Sequence, residues 1–189
     1  MNKNLNKLKN LSKVLHDTKK QEPKEIKECL TILKTKNANL KLKSKLINLN
    51  KVRNWENDKN GNIYHESGQF FSIQGVRTSL AYDREVTSWD QPIFNQLHGG
   101  ILAIIAKITK GKGVKFLLRV KAEPGDDGKV KFCPTFQATT SNINQAHGGK
   151  RPPFFEEIIK RKNTELIYSS SHYEEGGRFW KKINQNAIL

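Results

Sequence analysis

Residues 114–142 read Val114-Lys115-Phe116-Leu117-Leu118-Arg119-Val120-Lys121-Ala122-Glu123-Pro124-Gly125-Asp126-Asp127-Gly128-Lys129-Val130-Lys131-Phe132-Cys133-Pro134-Thr135-Phe136-Gln137-Ala138-Thr139-Thr140-Ser141-Asn142. Two runs rich in β-branched and aromatic residues flank a Gly-Asp-Asp-Gly turn, which predicts strands over 114–122 and 130–139. Alternate residues of a strand share a face. The first run therefore sets Arg119, Lys121 and Glu123 on one side, and the second sets Thr135, Gln137 and Thr139 on one side. A cation and a carboxylate two residues apart hold each other charged, as an acid–base pair, an anion clamp or a plain surface ion ladder. The Thr/Gln row offers neutral hydrogen-bonding groups, suited to sugar hydroxyls or a base edge, or to a satisfied stripe beneath another element.

Outward from this pair, the same composition signals predict strands over 63–66, 70–78, 93–96, 102–108, 165–169 and 177–183. Turns are expected at 57–62, at Gly99-Gly100 and at Gly111-Lys112-Gly113. A helix is expected over 154–161, where Phe155, Ile158 and Ile159 repeat at helical spacing after Pro152-Pro153. The N-terminal part is helical in pattern: Leu5, Leu8, Leu11 and Leu15 form one apolar stripe. After a break at Glu22-Pro23, Ile26, Cys29, Leu30 and Leu33 form another. Strands and helices of this kind predict an α+β domain with a mixed, strongly twisted sheet. Residues 1–53 are read as a Lys-rich helical segment and residues 54–189 as the domain proper.

The formal charge of +16 invites a nucleic-acid reading, but its distribution argues against one. Residues 1–53 hold 15 Lys and Arg against 4 acidic residues, a net of +11, leaving +5 for the other 136 residues. Those cations are nearly all Lys mixed with Asn, without a recognition-helix pattern or aromatic stacking positions. Two short helices packing on the domain or a partner explain the segment; a basic helix on a membrane would want aromatic anchors that it lacks. Apolar runs such as 101–105 distinguish the chain from a disordered one. Cys29 and Cys133 have no metal-ligand spacing, and neither an apolar signal segment nor a membrane span is present, so the cytoplasm is the expected compartment.

The remaining polar signals set out the candidate chemistry. His65 and His147 fall near the motif-rich stretch, whereas His16, His98 and His172 lie in segments that carry no site signal. A histidine titrates near neutrality and can carry a proton as acid or base. The His147-Gly148-Gly149-Lys150-Arg151 turn offers backbone N–H groups and two cations to a phosphate, or makes an ordinary loop. HxH and HExxH patterns are missing, so no metal is expected; neither G-x-x-x-x-G-K-[ST] nor G-x-G-x-x-G occurs, which argues against NTP hydrolysis and a nicotinamide.

Several motifs recur in an order that resembles the NDP-hexose 2,3-dehydratases from about Trp55 to the C-terminus. That family shows H-x-S-G-x-F-F-S-x-x-G, W-x-Q-P-I, a Gly-Ile-Leu run, A-K-x-E-P-G-N, S-P-T-x-Q-A-T-x-S-N-Y and K-x-N-x-N. Here they stand as His65-Glu66-Ser67-Gly68-Gln69-Phe70-Phe71-Ser72, Trp89-Asp90-Gln91-Pro92-Ile93, Gly100-Ile101-Leu102, residues 121–125, residues 134–142 and Lys182-Ile183-Asn184-Gln185-Asn186. Asp126, Cys133 and Ile143 depart from the family's asparagine, serine and tyrosine.

The resemblance implies a Nudix-like fold of α/β/α type without the metal-binding Nudix box. It also implies elimination of the C-2 hydroxyl of an NDP-4-keto-6-deoxyhexose, with dTDP as the expected nucleotide and no cofactor. Glu123, Lys121 and His65 become the candidate proton carriers. Gln91, Gln96, Gln137, Thr139, Ser141 and Asn142 are candidate sugar and base contacts, Trp89 a stacking surface, and Arg77, Arg119 and Arg151 candidate diphosphate ligands. Family members are typically about twice as long and carry two copies of the domain, so a homodimer of this single copy is expected. The competing readings are a non-catalytic nucleotide-sugar-binding subunit and a nucleic-acid binder acting through the basic N-terminus.

Overall fold

The computed structural model describes residues 2–17, 23–79, 85–96, 98–109, 113–126 and 128–189. Glu22 of the expected interhelical break, Gly111 and Lys112 of one turn and Asp127 of another lie outside them. The architecture is α+β, as the pattern predicted. Helices α1 (Asn2–Asp17) and α2 (Pro23–Ala38) precede strands β1 (Trp55–Asn57), β2 (Ile63–His65), β3 (Ser72–Ser79) and β4 (Ser88–Asn95). These four strands form an antiparallel meander in the order β1-β2-β3-β4.

The second sheet is built around β5 (Gly100–Thr109), the longest strand. It follows the order β10-β11-β5-β6, with β6 spanning Gly113–Leu117, β10 Tyr168–Tyr173 and β11 Ile183–Ile188. β11 runs parallel to β5, and the other pairings are antiparallel, so the sheet is mixed. β9 (Phe136–Thr139) also pairs with β5, at residues 100–103, while β6 pairs at 105–109. Where β6 and β9 part company, β7 (Arg119–Lys121) and β8 (Lys131–Cys133) continue as a separate two-stranded hairpin.

Thr135 is the stitch at that parting. It is fully buried; its Oγ1 accepts the N–H of Ile105 at 3.0 Å and donates to the carbonyl of Leu117. A buried backbone group without a partner is costly, and one hydroxyl here serves both strands where the ladder is interrupted. The expected row of Thr135, Gln137 and Thr139 is thereby broken. Thr135 is consumed inside, Gln137 is exposed, and Thr139 caps the short helix α3 (Thr140–Ile143). The reason is the change of pairing at Pro134-Thr135, which interrupts a strand whose period-2 pattern assumed continuity.

The core lies on one face of the second sheet. Ala103, Phe136, Ala138, Ile158 and Leu189 are buried together, with Ile101, Ile105, Ile143, Phe155 and Ile159 packed against them. Odd-numbered residues of β5 and even-numbered residues of β9 thus meet α3 and the single-turn helix α4 (Phe155–Ile158). The helix expected over 154–161 is held to that turn by residues in left-handed conformation at either side, Phe154 (φ 63°) and Arg161 (φ 57°).

α1 packs against β6 and β10 and buries Leu11, while Leu5 and Leu15 of the same stripe stay exposed. α2 is anchored instead through polar contacts: Lys115 Nζ to Glu25 at 2.9 Å, and the Val130 N–H to Asn37 Oδ1 at 2.7 Å. Its apolar residues Ile26 and Leu30 are about half exposed (49% and 53%), so the expected stripe does not meet the domain. The terminal strands fall later than expected, at 168–173 and 183–188. Residues 178–180 instead bridge to β4, with the Phe94 N–H on Arg178 O and the Trp180 N–H on Phe94 O, both at 2.8 Å. That bridge ties the meander to the second sheet. Among the described residues, no helix is long and apolar enough to cross a membrane.

Candidate functional site

A cavity of about 430 Å³ opens at the seam between the meander and α3. Its walls come from β2 and the following turn (Tyr64, His65, Gln69, Phe70), from β3 (Ser72, Gln74), from the end of β4 (Asn95, Gln96), from His98, and from α3 (Thr140, Ser141, Asn144). The meander register explains the polar wall: Ser72 pairs with Asn95, and Gln74 lies close enough for its Oε1 to accept from Asn95 Nδ2 at 3.1 Å. Gly68, with φ +65°, supplies the left-handed turn that carries the chain from β2 back into β3, closed by its N–H on His65 O at 2.8 Å.

α3 presents its first turn to this cavity. The Thr139 hydroxyl lies 2.9 Å from Ser141 Oγ and accepts the Asn142 N–H at 3.4 Å, a capping arrangement that fixes Ser141. On the opposite side His65 is set by aromatic neighbours, edge-on to Trp55 (5.6 Å between centroids) and Phe70 (4.7 Å). Tyr64 donates its hydroxyl to Glu56 Oε2 at 3.1 Å, and this bond, followed by the carboxylate's charge, pushes the phenol above its ordinary pKa.

The Lys121–Glu123 pair is made, but at the tip of the β7–β8 hairpin, and neither residue lines the cavity. Strand β7 ends at Lys121, and Glu123 sits in the turn beyond it, its N–H on Asp126 Oδ2 at 2.9 Å. Asp126 also receives Lys131 Nζ at 2.8 Å. That bond first, then the Glu123 N–H, holds its carboxyl below the usual range. Arg119 occupies the same hairpin, opposite Cys133.

The other expected residues lie in further places. Arg77 is clamped by Asp90 through two bonds of 2.9 and 2.7 Å on the exposed face of β3 and β4, which raises the guanidinium's pKa and lowers the carboxyl's. Trp89 donates its indole N–H to Gln91 Oε1 at 2.8 Å, and Gln91 donates onward to Gly177 O at 2.7 Å. Those side chains fasten β4 to the 176–180 segment. Arg151 donates to Gln145 Oε1 at 3.2 Å and stacks on Phe155, 4.6 Å from the ring centre. His147 Nδ1 accepts the Gly149 N–H at 2.8 Å, which closes the turn that carried the phosphate reading. Of the residues expected from sequence, His65, Gln96 and Ser141 meet in the cavity. Among the described residues, no group of three or more His, Cys, Asp or Glu is placed to hold a metal ion.

Residues 26–189 match the family model for the NDP-hexose 2,3-dehydratases. The chain belongs to this family. Three curated relatives carry the name dTDP-4-dehydro-6-deoxy-alpha-D-glucopyranose 2,3-dehydratase. That of Saccharopolyspora spinosa is 33% identical over 144 residues, 76% of this chain and 29% of the relative. That of Streptomyces violaceoruber is 34% identical over 144 residues, 76% of this chain and 32% of the relative. That of Amycolatopsis orientalis is 35% identical over 139 residues, 71% of this chain and 29% of the relative. The matched stretch therefore spans less than a third of each relative's length.

Within this chain the family motifs separate by task. H-x-S-G-x-F-F builds one cavity wall, and Thr140 and Ser141 near the end of the Pro134–Asn142 run build another through α3. Asn184 of the C-terminal K-x-N-x-N motif is buried and accepts the Gly100 N–H at 2.8 Å, locking β11 to the glycine pair beside the cavity. His98, whose segment carries no site signal in the sequence, lies on the cavity wall. No local sequence signal marks it, because the crowding of the turn after it comes from distant strands. A Cβ on Gly99 would sit 1.7 Å from Ile183 O, and one on Gly100 2.8 Å from Ala138 O, so two strands close on the residue pair after His98.

Proposed function

We propose that the chain is a nucleotide-sugar 2,3-dehydratase that removes water across C-2 and C-3 of dTDP-4-keto-6-deoxyglucose, giving a 3,4-diketo-2,6-dideoxy sugar for deoxysugar biosynthesis. The observation that supports it is the family match over residues 26–189 coinciding with a cavity lined in part by family motifs. The C-4 ketone acidifies the C-3 proton, so one base, one proton donor and hydrogen bonds to the enolate oxygen suffice, with no external oxidant. We place this chemistry in the cavity. Its size is in the range of small-molecule sites, whereas Lys121 and Glu123 neutralise each other at a hairpin tip.

We infer further that two copies pair and that the reaction runs in the cytoplasm, a compartment that suits the free cysteines Cys29 and Cys133. The exposed apolar residues Leu46, Ile47 and Leu49 beside an open groove lined by Val52, Trp55, Ile63, Phe71 and Ile73 supply a surface for pairing.

The test is incubation of the purified chain with dTDP-4-keto-6-deoxyglucose in deuterated water, followed by NMR and mass spectrometry, with Glu123→Gln and His65→Gln beside it. Loss of one water with deuterium at C-2, reduced in His65→Gln and retained in Glu123→Gln, is the expected result. Loss of activity in Glu123→Gln alone would move the chemistry to the hairpin. An unchanged sugar that still binds would make the chain a binding subunit.

A further inference from the structure

Two histidines line the cavity, and His65 is held in a way that fixes what it can offer. Its Nδ1 accepts the Ser67 N–H at 3.2 Å and lies 2.8 Å from Ser67 Oγ. A ring nitrogen that accepts carries no hydrogen, so the neutral imidazole has its proton on Nε2. His65 therefore meets a ligand as a donor. That suits a ketone or enolate oxygen and does not suit taking a proton from carbon.

A base is then needed elsewhere on the wall. Tyr64 is held protonated by Glu56. Apart from the two histidines, the other lining side chains among the described residues are amides, hydroxyls and phenyl rings, none of which serves as a base near neutrality. His98 does. The chain that follows it is anchored: the Gly99 carbonyl accepts the Thr140 N–H at 3.3 Å and the Thr140 hydroxyl at 2.9 Å, and the Gly100 N–H goes to Asn184.

Resting on the dehydratase reading above, we propose that His98 is the general base that removes the C-3 proton, while His65 holds the C-4 oxygen. The C–H electron pair forms the C-3/C-4 double bond as the C-4 oxygen takes the negative charge. It then returns to form the C-2/C-3 double bond while the C-2–O bond breaks. The proton taken by His98 leaves with that hydroxyl as water, and the C-3 enol ketonises by gaining a proton at C-2 and losing its hydroxyl proton. One water is lost, with no change of oxidation state in the protein.

The experiment uses the full chain and dTDP-4-keto-6-deoxyglucose, measuring turnover by NMR and dTDP affinity by calorimetry for His98→Ala, His98→Asn and the unaltered protein. Turnover in both variants should fall by roughly 10²–10⁴-fold with dTDP affinity kept. Added imidazole should restore part of it in His98→Ala, where the ring's space is open, and not in His98→Asn. Unaltered turnover in the variants, or an inactive His98→Ala that imidazole leaves inactive, overturns the assignment of the base while the dehydratase reading stands. If the unaltered protein itself leaves the sugar unchanged, both fall.

Discussion

At the scale of single residues, the site depends on positions where chemistry and packing coincide, and Gly99 is the clearest. With Ile183 O only 1.7 Å from where a Cβ would stand, Gly99→Ala must displace β11, which also carries Asn184. Overpacking of this kind costs about 1–3 kcal/mol or more. A lower urea midpoint, together with weakened binding in the cavity, is expected; an unmoved midpoint would show that β11 does not press on this turn. His98 was illegible for a related reason. The sequence shows a histidine before two glycines, and nothing local says that β9 and β11 close on those glycines from separate parts of the chain. His65 and Ser141 were legible because each lies in a contiguous motif of the family resemblance.

At the scale of elements, periodicity revealed the strands but not their change of partner. The runs at 114–122 and 130–139 each appear continuous, yet each breaks, at Leu118 and at Pro134-Thr135, because β5 accepts β6 and β9 in succession along its length. Thr135→Val tests the stitch. The substitution keeps the volume but strands the Ile105 N–H, at a cost of about 1–3 kcal/mol, whereas Thr135→Ser keeps the bond and most of the stability. Equal unfolding midpoints for the two variants would show that the hydroxyl is dispensable. The hairpin beyond the break has its own pH dependence. The folded pKa of Asp126 is depressed, so its contribution is present above the unfolded value near 4 and is lost as pH falls through the folded one. Amide protection across 121–131, taken relative to the intrinsic exchange rate at each pH, should therefore fall below about pH 4 in the natural protein. In Asp126→Asn it should already be low at pH 7, and equal protection in both proteins at every pH would exclude this role.

At the scale of the whole molecule, charge and apolar surface pull in opposite directions, and their balance decides whether two copies meet. The extended stretch before β1 exposes Leu42, Ile47 and Leu49 and leaves Leu46 with 102% of its reference surface in solvent, beside a groove of about 910 Å³. Apolar contiguity of this kind marks interaction surfaces. Interleaved with it are Lys41, Lys43, Lys45, Lys51 and Arg53, without an acidic residue among positions 41–53. Two such faces brought together repel at low ionic strength, and salt relieves the repulsion because the Debye length shrinks from about 30 Å at 0.01 M to about 8 Å at 0.15 M. A homodimer on this face should therefore tighten as salt rises, the reverse of a nucleic-acid complex, which loosens. Light scattering behind size exclusion should show a mass moving from 21.7 kDa toward twice that value between low and moderate salt. Leu46→Asp with Ile47→Asp should hold the mass at the monomer value without altering far-ultraviolet circular dichroism. If turnover follows the dimer fraction, the second copy completes the site; if a monomeric variant turns over at the full rate, the cavity is sufficient within one chain. A mass independent of both salt and substitution would place pairing, if any, on another face.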